Sequence, residues 1–214
     1  MSRSAPFALP DPFALADWRR RVAELYARIR AEGPGPAAWR HWRDGRDSLF
    51  ATHPQSPLSA AQIDRFTGVP LFPYDPALCF TVAVQPCDPE QPWPRMDLGP
   101  DGTATLQPAG RTQGLESALG GELTVYWISG YGGGLFLPFA DASNGKTTYG
   151  AGRYLLDGIK GADLGTTSDG ALICDFNFAY NPSCAYSDTW VCPLPPRENT
   201  LPAAIHAGER TPAL

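Results

Sequence analysis

Apolar residues recur along this chain with two different periods. Trp18, Val22, Leu25 and Ile29 follow a four-three-four spacing, the stripe of an amphipathic helix, with Arg19, Arg20, Glu24 and Arg28 on the opposite side. Asp11 before Pro12 is a helix start, and the GPGP run at 33–36 is a stop. A second helix is predicted over 36–51, with Trp39, Trp42, Leu49 and Phe50 as its apolar residues. Gly45 weakens it by about 1 kcal/mol relative to alanine. HPQSPL at 53–58 breaks it, because Pro54 and Pro57 force extended backbone on their predecessors. One helical turn follows over 59–65, capped by Ser59.

From Phe66 onward the pattern becomes short runs between turns. Pro70, Pro73 and Pro76 make a rigid connector. Strands are predicted over 78–84, 103–107, 122–129, 135–140 and 153–156, with a long loop over 85–102. In 122–129, Leu123, Val125 and Trp127 alternate with Thr124, Tyr126 and Ile128. Asn144-Gly145 is a tight-turn signal, Asp169-Gly170 another, and 171–180 reads as the most hydrophobic strand. Two helices followed by about seven or eight short strands imply an α+β protein. Its core is a predominantly antiparallel β-sandwich or barrel, with an N-terminal two-helix arm. The arm and its connector span 1–58 and the β-rich core 59–214, as one compact unit; residues 1–10 read as a loose tail.

Composition narrows the function classes. The 23 prolines and 22 glycines are interleaved with aromatics, so they mark turns in a folded domain and not disorder. A formal net charge of -5 argues against a nucleic-acid binder that works by phosphate neutralisation. The basic residues between Trp18 and Arg46 are mixed with acids and read as a solvated helix face. No run of 18 apolar residues predicts a membrane span, and the N-terminus lacks the apolar stretch of a secretory signal. Five cysteines in no regular framework read as reduced thiols, and so as a cytoplasmic protein. The apolar face of the arm can pack on the core or on a second chain, which leaves a homo-oligomer open.

The richest chemistry lies in 174–199, CDFNFAYNPSCAYSDTWVCPLPPREN. If 171–180 is one strand, Leu172, Cys174, Phe176 and Phe178 share a core face, and Ile173, Asp175, Asn177 and Ala179 share the other. A buried carboxylate is costly unless paired, so Asp175 either meets a cation such as Arg153 or lines a wet pocket. Asp141, Tyr149 and Arg153 form a second group, joined by the Asn144-Gly145 turn, and an arginine so placed could clamp a ligand carboxylate or phosphate. These residues suggest a small-molecule pocket and an acid–base enzyme acting on a small anionic metabolite. In it Asp175 or Glu198 would move a proton, and Tyr149 or Tyr180 would donate to developing negative charge. Arg153, Asn177, Asn181, Asp141 and His53 would contact the ligand. A non-catalytic binding module using the same pocket is the alternative.

No nucleotide fingerprint is present in GAGR or YGGG, so no organic cofactor is expected. A metal site on Cys184, Cys192 and His53 is a further alternative, although seven intervening residues are not a zinc-knuckle spacing. A Cys184–His53 nucleophile pair is a weaker one. PLPPREN at 193–199 reads mainly as a proline-locked strap anchored by Glu198 and Asn199, and Glu209 as a similar anchor.

HPQSPL, LFPYDP, LFLPFADASNGKTTYGAGRYL, DFNFAYNPSCAYSDTWVCPLPPREN and AIHAGER occur in that order. Together they resemble the family known as domain of unknown function 1684, over roughly residues 39–210. The resemblance implies kinship with uncharacterised bacterial and archaeal proteins and assigns no activity. Two positions depart from the family pattern. His206 stands where Arg or Lys is usual, which weakens His206 as a ligand or base. Ser183 stands where an aromatic is common, which opens space beside Cys184.

Overall fold

The computed structural model describes residues 11–88, 93, 95–97, 102–130 and 132–213. The expected loose tail at 1–10 lies outside them, as do 89–92, 94 and 98–101 of the expected loop. Helix α1, Pro12–Glu32, starts where Asp11 accepts the Phe13 N–H at 2.9 Å and stops at Gly33. Helix α2 spans Pro36–Thr52 and packs against α1. Gly45 sits at their crossing: a Cβ there would lie 2.8 Å from Leu25 Cδ1. The residue that weakens α2 by propensity thus leaves room for the Leu25 side chain at the crossing. The turn predicted after Ser59 is α3, Ala60–Ile63, held by a reciprocal capping box between Ser59 and Gln62.

The strands are β1 (Cys79–Pro86), β2 (Arg95–Asp97), β3 (Thr103–Gln113), β4 (Thr124–Ile128), β5 (Gly134–Asp141), β6 (Arg153–Asp157), β7 (Leu172–Asp175) and β8 (Thr200–Leu201). A short helix, α4 (Glu116–Leu119), joins β3 to β4. The sheet order is β6-β5-β4-β3-β1-β7, antiparallel throughout; β2 adds to β3 and β8 lies parallel to β5. Two expectations change here. The strand at 103–107 runs on to Gln113, and the loop at 85–102 contains β2, which pairs with it.

The larger correction concerns 171–180. The strand ends at Asp175, whose Oδ1 accepts the Asn177 N–H at 2.9 Å and turns Phe176–Phe178 into a 3-10 helix. An aspartate two residues before an asparagine competes for the backbone donors a strand would use. The turn redirects the chain onto β6, where Tyr180 and Tyr154 exchange backbone hydrogen bonds at 2.9 and 3.0 Å. With β7 on β1 and Tyr180 on β6, the sheet comes round to an almost closed barrel. Pro138 falls at a register shift between β5 and β6, where its missing donor costs no ladder bond.

Alternate residues feed two cores. Val125, Leu137, Phe139, Leu155, Cys174 and Phe176 belong to one. Tyr126, Phe136, Tyr154 and Phe178 belong to the other, together with Val22, Tyr26, Ile29, Trp42 and Leu49 from the arm. The 3-10 turn is what throws Phe178 into the arm's core, away from the face it would share with Phe176 in a strand. The apolar stripes of α1 and α2 are thus spent on this chain's own barrel. The C-terminal segment threads between the units. Phe72 and Arg210 bond to Gly208 and Pro70 respectively, and the Glu209 N–H to Ala179. No helix among the described residues is long and apolar enough to cross a membrane.

Candidate functional site

The charged pair expected to clamp a ligand is turned inward. Arg153 is fully buried; its Nη2 lies 2.9 Å from Asp141 Oδ2 and 3.0 Å from the Ile205 carbonyl. Its Nη1 donates to the carbonyls of Ala207 and Glu209. Asp141 Oδ1 accepts from Ser143 and Ile205 backbone N–H groups. Burial works to lower the Arg153 pKa, opposed by Asp141. These bonds tie β5 and β6 to the C-terminal segment and leave only Nε without a partner.

Asp175 and Asn177 form a second internal knot, apart from Arg153. Asp175 Oδ1 takes the Asn177 N–H and Nδ2–H at 2.9 and 2.7 Å. Asn177 exchanges two 2.8 Å hydrogen bonds with the Asp75 backbone, which fixes the proline connector to the barrel. Asp175 Oδ2 faces the Tyr74 hydroxyl and Cys79 thiol without a well-formed bond, and burial raises its pKa. Glu198 accepts the hydroxyl of buried Tyr126 at 2.6 Å. Beside it, Asn199 bridges Thr124 and Pro138 through three 2.8 Å bonds, so the strap is anchored as its sequence implied.

His53 closes α2 and stays with the arm: Nδ1 accepts the Gln55 N–H, Nε2 lies 3.2 Å from Asp17, and the ring meets Trp18 edge-on. It does not join the cysteines. Among the described residues, no group of three or more His, Cys, Asp or Glu is placed to hold a metal ion. The Tyr149 hydroxyl reaches Cys184, 3.5 Å from its carbonyl and 3.7 Å from its Sγ.

A cavity of about 50 Å³ lies at the seam between arm and barrel. Trp18, Tyr26, Arg46 and Phe50 wall it from the arm, and Tyr180, Asn181 and Tyr186 from the barrel side. Arg46, which the sequence places on a solvated face, has a side chain only 11% exposed. Its Nε and Nη2 lie 2.6 and 2.5 Å from Glu209 Oε1. The guanidinium stacks over the rings of Trp42, Phe50 and Tyr180 at 5.0–5.4 Å. Glu209 is fully buried, and its Oε2 accepts the Asn181 N–H at 2.7 Å and the Tyr186 hydroxyl at 2.8 Å. Burial disfavours the Arg46 cation, but Glu209 together with Tyr186, Tyr26 and Tyr180 outweighs it and keeps the guanidinium protonated. Burial likewise lifts Tyr180 and Tyr186 well above the ordinary phenol range.

Two buried oxygens on this wall have no hydrogen-bond partner: the Tyr180 hydroxyl and Asn181 Oδ1. Sequence reasoning picked Tyr180 and Asn181 and missed Arg46, Glu209 and Tyr186 as cavity residues. The signal for Arg46 was its spacing: four residues after Trp42 and three and four before Leu49 and Phe50, it lies on the apolar stripe.

The class defined by these features is a small α+β protein: a nearly closed antiparallel barrel flanked by a two-helix arm, with a small cavity at their seam. The chain belongs to the family described as "Protein of unknown function (DUF1684)", whose pattern matches residues 64–210. Tyr180, Asn181, Tyr186 and Glu209 fall within the matched segment and Arg46 before it. The fold is similar to the solution NMR structure of an uncharacterized protein from Haloarcula marismortui. The two share 32% sequence identity with a TM-score of 0.54, over 79% of this chain and 90% of that one. No curated protein matches the chain.

Proposed function

We propose that this protein is a binding module for a small hydroxy-carboxylate, held at the seam between arm and barrel. The observation that carries the reading is the pair of unmatched polar atoms, the Tyr180 hydroxyl and Asn181 Oδ1, on residues that line one cavity. Leaving a buried polar group unpaired costs about 1–3 kcal/mol, so such groups mark a missing partner. The Tyr180 hydroxyl offers a donor and the Arg46 guanidinium lines the same cavity as a cation, together suited to the oxygens of one carboxylate. Asn181 Oδ1 offers an acceptor, suited to a neighbouring hydroxyl. At about 50 Å³ the cavity admits a ligand of a few heavy atoms; a single water needs about 10–15 Å³.

A binding role fits this site better than acid–base catalysis. A general base must be able to take a proton near neutral pH. The phenols here are pushed the wrong way for that, and both Glu209 oxygens are already engaged.

Thermal denaturation tests the reading with glycolate, which carries both groups, and acetate, which lacks the hydroxyl. A ligand that binds only the folded state raises the midpoint in proportion to its affinity. At matched ionic strength glycolate should raise the midpoint more than acetate, and Tyr180→Phe should abolish the difference. Equal effects of glycolate, acetate and chloride would mean that water alone occupies the cavity.

A further inference from the structure

Cys184 and Cys192 stand together on the loop that follows the cavity wall, and nothing in the proposed binding role uses them. Pro182 leads into a 3-10 turn, Ser183–Ala185, which aims the Cys184 N–H at Cys192 Sγ, 3.3 Å away. The two thiols are close enough to influence each other's ionisation. Each cysteine is fixed from its own side. The Tyr149 hydroxyl holds the Cys184 carbonyl, and the Tyr154 hydroxyl donates to the carbonyl of Pro193, the residue after Cys192. Pro195 then packs against Gly152, where a Cβ would come within 2.5 Å of its ring. Both cysteines are half-exposed, so a small reagent can reach them. Cys174 is buried, and burial pushes its thiol up to about 12, as it does that of Cys79.

We infer that Cys184 and Cys192 are a redox-active dithiol, converted to an intramolecular disulfide by a low-molecular-weight disulfide, with Cys192 attacking and Cys184 resolving. The Cys184 N–H sets the order. It points to Cys192 sulfur at 3.3 Å. The neighbouring Cys184 thiol, this N–H and the Lys160 cation together hold Cys192 below the ordinary thiol range. Cys184 is pushed up, chiefly by Cys192, and keeps its proton. The thiolate is the attacking species, and its fraction and accessibility set the rate.

In the first step Cys192 thiolate bonds to one sulfur of the reagent, whose S–S bond breaks. One reagent thiolate leaves and takes a proton from water. In the second step Cys184 gives up its proton and attacks Cys192 sulfur in the mixed disulfide. The second reagent thiolate departs and is protonated. The two protein thiols are thereby oxidised by two electrons, and one small disulfide is reduced to two thiols.

Oxidised glutathione and the full chain test this directly. The wild-type intact mass should fall by two hydrogens, with fragmentation placing the new bond between 184 and 192. Cys184→Ser should stop at a glutathione adduct on Cys192, formed about tenfold or more faster than any adduct on half-exposed Cys87. A stable glutathione adduct on the wild type, or reaction at Cys87 first, would overturn the proposal. So would faster reaction of Cys184 in Cys192→Ser than of Cys192 in Cys184→Ser. If a serine variant fails to fold by circular dichroism, brief alkylation of the reduced wild type with iodoacetamide decides the order, with modification expected first at Cys192 and modification first at Cys184 overturning it.

Discussion

The Arg46–Glu209 pair is where the arm is pinned to the barrel, and a double-mutant cycle measures how strongly. Arg46→Met keeps the aliphatic bulk that packs on Trp42 and Phe50 but removes the charge. It leaves Glu209, which is fully buried, with only the Asn181 N–H and the Tyr186 hydroxyl as partners. Glu209→Gln leaves the guanidinium between three rings with no counter-charge. Breaking a buried pair by removing one partner costs about 3–5 kcal/mol, much of it the penalty of the stranded charge. The double variant strands neither charge, so its loss should fall short of the sum by about 2 kcal/mol or more. Urea denaturation at neutral pH reads all four proteins. The wild-type value should change little with added salt, since a pair this buried is poorly screened. Additive losses, or single losses below about 1 kcal/mol, would show that the pair does not hold the seam.

Three other substitutions probe separate parts of the molecule. Tyr180→Phe removes a hydroxyl with no protein partner, so in the absence of ligand urea denaturation should show unchanged or higher stability, by up to about 1 kcal/mol. Asn199→Ala orphans the Thr124 N–H and the carbonyls of Thr124 and Pro138, and should cost at least about 3 kcal/mol in the same assay. Asp175 has its pKa raised from 3.8 by burial, so its ionisation disfavours the folded state. Its contribution is fully present below the unfolded value and is lost as pH rises through the folded one. Denaturation across that range should show wild type losing stability with rising pH relative to Asp175→Asn. A constant difference between the two would contradict the raised pKa.

The helices were legible because their stripes are long and their stops are prolines and glycines. The strand-rich core was legible from short runs between turns. The near-closure of the barrel was not: 171–180 is apolar almost throughout, and periodicity cannot separate a strand from a strand that bends. Asp175 and Asn177 carried the hint, as residues that favour a local turn over a ladder. They were noticed as chemistry and not as a bend. At the site, local composition found Tyr180 and Asn181 because they sit in an unusual cluster. It could not find the Arg46–Glu209 pair, whose partners are 163 residues apart and meet only when the C-terminal segment threads between arm and barrel. The same threading supplies three backbone carbonyls to Arg153, which explains why a plausible ligand clamp became an internal tie.

The most direct test of the binding role is an NMR titration with glycolate that follows the Arg46 side-chain N–H and the Tyr180 ring signals. Saturable shifts at Arg46, Tyr180 and Asn181, absent with acetate at the same ionic strength or much weaker, are the predicted result. Signals that stay still, or that drift linearly with those of exposed arginines and lysines, would contradict it.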